Sequence, residues 1–393
     1  MNIIFLTHPK FSNIRSIALY TQMIANGMEE RKHSVQVYSP TAYLSEISNN
    51  PKIKKWLGYV DQYLIFKILF EQKIKKFPKD SLYVICDQAL GIWATLISKK
   101  PHVIHCHDFL AQRSALGKIS ENKVGSSGKL YQKLIRKGYS KANNFISISK
   151  KTRADLHEFL PKEPIFSEVV YNGLNQNFEP GNVMGVRENL EDLLKINLMQ
   201  GFVLHVGGNQ FYKNRTGVLQ IYIAWREMQE KELPLIMIGS EPTDTLKFTA
   251  HKSRFSKDIH FISEVSNKIL KKFYQGASLL LFPSLEEGFG WPIAEAMASG
   301  CPVITTNKEP MSEVGGTSCY YLSRQPIDDT IKKMMWYKEG AKILDEVLSL
   351  TVEARENLIV SGLENSRRFN SEKALDKIEE CYKEVLKKYT AGV

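Results

Sequence analysis

Two glutamates, Glu287 and Glu295, stand seven residues apart in "LFPSLEEGFGWPIAEAMASGCPVIT", on either side of a turn that holds Gly288 and Gly290. A carboxylate accepts from two vicinal hydroxyls at once, so a pair of them beside a glycine turn suits a polyhydroxylated ligand. The glycines let such a ligand approach the backbone, and amides at the start of a following helix favour its electronegative groups. The apolar run predicts a strand ending near Pro283, and Pro292 is expected to be the first residue of a helix that Gly300 stops. Glu287 is then placed in the loop and Glu295 in the first helical turn. The same spacing also fits a plain structural arrangement, in which Glu295 only complements the helix dipole.

A cation would complete such a site. Lys213 follows the glycine turn of "VLHVGGNQFYKNR", near the expected start of the helix "NRTGVLQIY". An ammonium group is unfavourable at a helix start unless an anion is near, which makes Lys213 a candidate phosphate ligand. In "HVIHCHDFL", alternation sends His105 and His107 to one face of a strand, and only His107 reaches its end. A hydrogen-bonded core histidine is the structural alternative for each. The five cysteines show neither CxxC nor metal-ligand spacing, and no Asp-x-Asp is present, so buried thiols and no metal are expected.

The elements that must position these residues recur. Short β-branched or aromatic runs ("IIFLT", "SVQVYS", "LYVIC", "HVIHC", "NFISIS", "EVVYN", then "FVLHVG", "LPLIMIG", "IHFIS", "SLLLFPS", "PVITT") alternate with segments of helical spacing. That alternation predicts an α/β fold with two doubly wound parallel sheets, whose ligands bind beyond the carboxyl ends of the strands, in a cleft between the two domains. Turn signals after "YNGLNQNFEP" divide residues 1–178 from 179–370, and an amphipathic helix over about 371–393 is expected to pack back on the first domain.

With 393 residues, 43% hydrophobic and 24% charged, the chain fits a two-domain globular protein, and it has neither a signal-peptide pattern nor an apolar run long enough to span a bilayer. A cytoplasmic location is expected. Residues 1–175 carry 26 Lys plus Arg against 13 Asp plus Glu, whereas the remainder carries 27 against 29. Eight lysines lie between Lys52 and Lys79, opposed by Asp61 and Glu71 and interleaved with apolar residues. This is either a solvated helix face or a surface that attracts a polyanion or an anionic membrane.

The segment "EGFGWPIAEAMASGCPVI" resembles the E-x7-E signature of glycosyltransferase family 4, through Glu287, Gly288, Phe289, Gly290, Glu295, Ala296, Met297, Ala298, Gly300 and Pro302 to Ile304. The resemblance covers nearly the whole chain: "HVIHCHDFL", "FISISKKT" with Ser149, "VVYNGLNQNF" and "VLHVGGNQFYKNR" follow in the family's order. It implies a GT-B fold of two Rossmann-like domains, a nucleoside-diphosphate sugar donor held mainly by the second domain, and transfer with retention. The acceptor is a glycan or a lipid-linked glycan, in polysaccharide or glycoconjugate synthesis, with no cofactor, no nucleic acid and possible-partner contact limited to an anionic membrane face.

By that resemblance Gly207, Gly208, Asn209 and Lys213 hold the diphosphate, and backbone near Ile262 holds the base. Glu287 with the amides of Gly288, Phe289 and Gly290 holds the sugar, Glu295 the ribose, and His107 reaches the donor sugar. Catalytic roles thus fall to His107, Lys213 and Glu287, and acceptor contacts to Lys10, Asp108 and Arg113. Two departures stand out. Gly208 occupies a position where many members carry arginine, with Asn209 or Arg215 as substitutes; and "THPKFSNIR" replaces the usual glycine loop, with Lys10 or the amides near Ser12 and Asn13 in its place. The rivals are a GT-B epimerase or hydrolase of nucleotide sugars and a non-catalytic binding partner. A nicotinamide dehydrogenase lacks its G-x-G-x-x-G spacing here, and a nucleic-acid-binding protein lacks a reading motif.

Overall fold

The computed structural model describes residues 1–12, 15–174 and 176–391, without the side chain of Arg15, so the expectation for Asn13 lies outside the described residues. The chain divides into two compact units, Met1–Asn175 with Ser371–Val393, and Gln176–Asn370.

Unit 1 is built on a parallel sheet of β1 (Asn2–Leu6), β2 (Ser34–Tyr38), β3 (Leu82–Ile85), β4 (His102–Cys106), β5 (Asn144–Ser147) and β6 (Phe166–Val169). Its order is β2-β1-β3-β4-β5-β6. Unit 2 repeats the plan with β7 (Val203–Val206), β8 (Leu235–Ile238), β9 (Ile259–Ile262), β10 (Leu279–Phe282), β11 (Val303–Thr306) and β12 (Tyr320–Leu322), in the order β12-β11-β10-β7-β8-β9. Every adjacent pair is parallel. The central strands are buried throughout, as in "LLLF" of β10, because helices cover both faces of each sheet.

The doubly wound α/β architecture expected from the alternation is therefore present in both units. Two details differ. Strand β6 starts at Phe166, ahead of the "EVVYN" run, and β12 was not anticipated: it is only three residues long and two of them are half-buried at the sheet edge. In each sheet the winding reverses beside the first strand, between β1 and β3 and between β7 and β10. Loops leaving the carboxyl ends of such a pair diverge, one to each face, and open a crevice there.

In unit 1, Phe66, Phe70, Trp93 and Phe145 fill one side of the sheet. On the other side the helices Arg15–Glu30 and Ser371–Thr390 bury Ile24, Met28, Leu375, Ile378, Tyr382 and Val385. Gly27 permits that approach, since a Cβ there would lie 2.6 Å from the Leu375 side chain. In unit 2, the helix Arg215–Met228 packs Leu219, Tyr222 and Trp225 into a cluster with Trp336 and Leu344 of the helix Thr330–Leu348.

Candidate functional site

The reversal point of unit 2 carries the charged residues. After β7 the chain passes through Gly207, Gly208 and Asn209 into a 3-10 turn, Phe211–Lys213, and then into the helix Arg215–Met228. Asn214, left-handed at φ 51°, caps that helix by accepting from the Gly217 amide, and it donates through Nδ2 to the Pro283 carbonyl at 3.0 Å. This side chain ties the β7 loop to the β10 loop. Lys213 Nζ then reaches across the crevice and donates to Glu287 Oε1 at 2.7 Å, with both side chains largely buried. The ammonium also lies 5.1 Å from the Phe282 ring centroid, a second stabilising contact for a cation removed from water.

Glu295 lies deeper than expected. The helix begins at Trp291, which makes Pro292 its second residue and puts Glu295 in its second turn. There Tyr274 donates to Glu295 Oε2 at 2.7 Å. Burial raises the carboxyl pKa to about 7, and it outweighs the Tyr274 hydrogen bond and the charge of Lys213, which both act to lower it. Lys213 thus belongs electrostatically to both glutamates. Between them, Gly290 takes φ 101°, which L side chains rarely adopt, while Phe289 is buried against Trp291 and Phe369. The Phe289 ring is structural, so only its backbone can serve a ligand.

The turn at Gly207–Asn209 is supported from beneath. Arg215 is only 6% exposed and donates through Nη1 to Asn209 Oδ1 at 2.5 Å and to the Ser240 carbonyl at 2.8 Å. Asn209 in turn donates to the Glu241 carbonyl at 2.6 Å. The arginine that relatives carry at position 208 thus has a counterpart in Arg215, under the same turn, whose Nε and Nη2 have no hydrogen-bond partner among the described residues. Burial lowers the guanidinium pKa, opposed by the charge on Glu241. Ile262 ends the edge strand β9, and its carbonyl accepts from the Gly239 amide at 3.1 Å. No described contact brings it to Lys213 or Glu287.

Two features of this site were not read from the sequence. His205, on β7, is buried beside Phe282, and burial pulls its pKa to about 3, so a neutral imidazole floors the crevice. Glu286 is buried next to Glu287 and pairs with Lys308 and Arg324. Arg324 follows the unanticipated strand β12, and only the adjacent glutamates of "LEEGFG" hint at such a knot.

Unit 1 has a parallel arrangement at its own reversal point. Asp87, after β3, accepts from His8 Nε2, after β1, at 2.8 Å, and from the Ala89 amide at 2.8 Å. Burial alone would raise the Asp87 pKa, yet the hydrogen bond from His8 and the charges of His8 and His107 hold it below the usual carboxylate range. His107 follows β4 and donates through Nε2 to the Cys86 carbonyl at 2.9 Å, while its ring packs edge-on against Tyr20. Burial lowers its pKa, so the neutral ring keeps Nδ1 as an acceptor. Ser149 caps the helix Lys150–Phe159, and Thr152 of that helix donates to the His107 carbonyl at 3.2 Å.

His105 shares the Tyr20 face but is a core residue: its Nδ1 bonds Tyr20 at 2.9 Å and its Nε2 bonds Tyr382 at 2.8 Å. Asp108 accepts from the Leu110 amide at 3.0 Å, and Arg113 is half-buried on the helix Leu110–Ala115. Lys10 is exposed in the turn Lys10–Ser12, at a cavity of about 930 Å³ that His8, Gln22, Asn26 and Ser39 also line. Among the described residues, no group of three or more His, Cys, Asp or Glu side chains is placed to hold a metal ion.

Two family models match the chain: "Glycosyltransferase Family 4" over residues 17–178 and "Glycosyl transferases group 1" over residues 186–317. O-antigen chain mannosyltransferase B of Escherichia coli is 33% identical over 119 residues, which is 30% of this chain and 31% of that protein. The chain thus spans about a third of that curated relative. Sucrose-phosphate synthase from Thermosynechococcus elongatus has a similar fold, with a TM-score of 0.73 at 15% identity over 98% of this chain and 99% of that one. So does Anabaena HepE, solved in complex with UDP and glucose, with a TM-score of 0.69 at 15% identity over 97% and 98% of the two chains.

Proposed function

The chain belongs to the group 1, family 4 glycosyltransferases of GT-B fold, and from that premise we propose that it moves a hexose from a nucleoside-diphosphate sugar to a glycan or lipid-linked acceptor, with retention. Membership also connects it with polysaccharide synthesis. The observation that carries the donor assignment is the ion pair between Lys213 and Glu287 at the reversal point of unit 2, with Glu295 beneath it.

Breaking a sugar–phosphate bond leaves negative charge on the diphosphate and positive charge on the sugar ring. Lys213 and the backbone of the Gly207–Asn209 turn stabilise the first, because preformed cations and dipoles need no reorganisation as charge develops. Glu287 accepts from sugar hydroxyls and Glu295 from the ribose. Glu287 is engaged by Lys213 before any donor arrives, and the departing phosphate accepts the acceptor's proton in a front-face attack, with His107 orienting the donor sugar. Lys10, Asp108 and Arg113 recognise the acceptor.

The diphosphate charge is met by Lys213 and amides, so the reaction proceeds without a metal. The five buried free thiols suit the reducing cytoplasm, where we place the reaction. The name of the Escherichia coli relative supports mannose as the first donor sugar to test, and the HepE complex supports a nucleoside diphosphate as the held portion.

The test is a panel of UDP-, GDP- and ADP-hexoses, with and without chelator, offered together with lipid-linked and free glycan acceptors. Acceptor-dependent transfer with the anomeric configuration kept supports the proposal. Release of free sugar or epimer at a rate indifferent to acceptor would establish the hydrolase or epimerase reading instead.

A further inference from the structure

The helix Pro51–Val60 continues through a π-type turn, Asp61–Ile65, into the helix Phe66–Ile74, and this run lies alongside the helix Ser126–Tyr139. Between them is a groove of about 1000 Å³ within unit 1. Its floor is aromatic: Tyr59 lies 5.3 Å from Tyr131 and 6.3 Å from Tyr63 between ring centroids, and the Tyr63 and Tyr131 hydroxyls hydrogen-bond to each other. Its walls expose large apolar side chains, with Trp56 at 63% and Leu130 at 59%, joined by Leu64 and Leu134. Contiguous exposed apolar surface of this kind marks a surface that something covers.

Charge decides what covers it. Lys52, Lys55, Lys67, Lys137 and Lys141 line the groove, and no aspartate or glutamate does. The helix Ser126–Tyr139 carries Lys129, Lys133, Arg136 and Lys137 with no acidic residue. Asp61 offers no neutralisation, since its buried carboxylate accepts from the amides of Tyr43, Leu44 and Ser45. A second copy of this chain would set lysine against lysine. Leucines at the groove wall give a base nothing to stack on, unlike a single-strand nucleic-acid platform. Lysine stems lying along apolar surface, with ammonium groups reaching outward, match the boundary of a bilayer, where hydrocarbon meets anionic phosphate.

We propose that this groove docks unit 1 on an anionic lipid leaflet, with hydrocarbon covering Trp56, Leu64, Leu130 and Leu134 and phosphate headgroups meeting the lysine rim. The inference is independent of the donor assignment, because vesicle binding requires no turnover.

The experiment uses the full chain and vesicles of phosphatidylcholine, with and without phosphatidylglycerol. Sedimentation with the anionic vesicles alone is expected, and the triple variant K52Q/K55Q/K67Q should lower the partition coefficient about a hundredfold, given the typical contribution of a lysine near such a surface. Trp56→Ser with Leu134→Ser should weaken binding to the same vesicles even in high salt, where screening leaves the apolar contribution. Circular dichroism of each variant controls for folding, and hydrolysis of the donor in lipid-free buffer should match the parent. Equal binding to neutral vesicles, unchanged binding of both variants, or capture of an oligonucleotide or of monomeric dodecyl phosphate without vesicle recruitment overturns the proposal.

Discussion

Lys213 Nζ and Glu287 Oε1 are 2.7 Å apart, although 74 residues separate them in the chain. They meet because β7 and β10 are neighbours in the sheet while their loops leave in different directions. Each side chain satisfies the other before a ligand is present, so neither charge is left buried alone. Removing one partner of such a pair is costly chiefly because the other remains.

Replacing Lys213 by alanine is therefore expected to lower kcat/KM by about 10²–10³-fold, the usual loss when one preformed stabiliser of transition-state charge is removed. Lys213→Arg should recover part of it, since a guanidinium keeps the charge but not the point geometry. Steady-state transfer rates with a saturating acceptor would measure both; an alanine variant at parental rate would exclude the diphosphate role.

Glu295 makes stability depend on pH with a definite sign. Its carboxyl pKa is raised from 4.5 to about 7. Between those values the folded protein binds a proton that the unfolded chain releases, so its contribution is fully present below about pH 4 and is lost as pH rises through 7. Thermal unfolding of Glu295→Gln should show a shallower fall between pH 5 and pH 8 than the parent, by up to about 3 kcal/mol across that range. Tyr274→Phe removes a hydrogen bond that lowers this pKa, and should move the fall to higher pH.

Arg215 holds Asn209 and the Ser240 carbonyl from a buried position. Arg215→Ala leaves both acceptors without that donor, and we expect a stability loss of about 2 kcal/mol, in line with hydrogen bonds from charged groups. Titration with nucleoside diphosphate should also show weaker binding, because the Gly207–Asn209 turn loses its support. An unchanged Kd would confine Arg215 to the scaffold.

His105 links Tyr20 and Tyr382 through its two ring nitrogens, and burial pulls its pKa to about 3. His105→Phe is expected to cost about 1–3 kcal/mol by leaving two buried hydroxyls without that partner. Donor affinity should be unaltered. Chemical denaturation and nucleotide titration together would separate this outcome from a catalytic role.

What the sequence revealed follows from how far apart the informative residues lie. Strands such as "LLLF" are short continuous apolar runs bounded by turns, and these are visible locally. Tyr320–Leu322 escaped notice because three residues carry no period. Glu287 and Lys213 were singled out by loop chemistry, but their direct pairing depends on strand order, which local patterns do not encode. The His8–Asp87 contact was missed for the same reason: 79 residues separate the two, and β1 and β3 become neighbours only because β2 lies on the outer side. Glu295 was found by spacing and misplaced by one turn, since the helix starts at Trp291 rather than at the proline.

The helix Ser371–Thr390 closes the core of unit 1, although the whole of unit 2 precedes it on the messenger. At about 5–20 residues per second, a ribosome needs roughly 10–40 s to supply the intervening 195 residues. Through that interval the apolar face around Val84 and Val103 awaits Leu375, Ile378 and Val385. The later-made half of the protein can mature first, and the nascent earlier half is the one a chaperone would have to shelter.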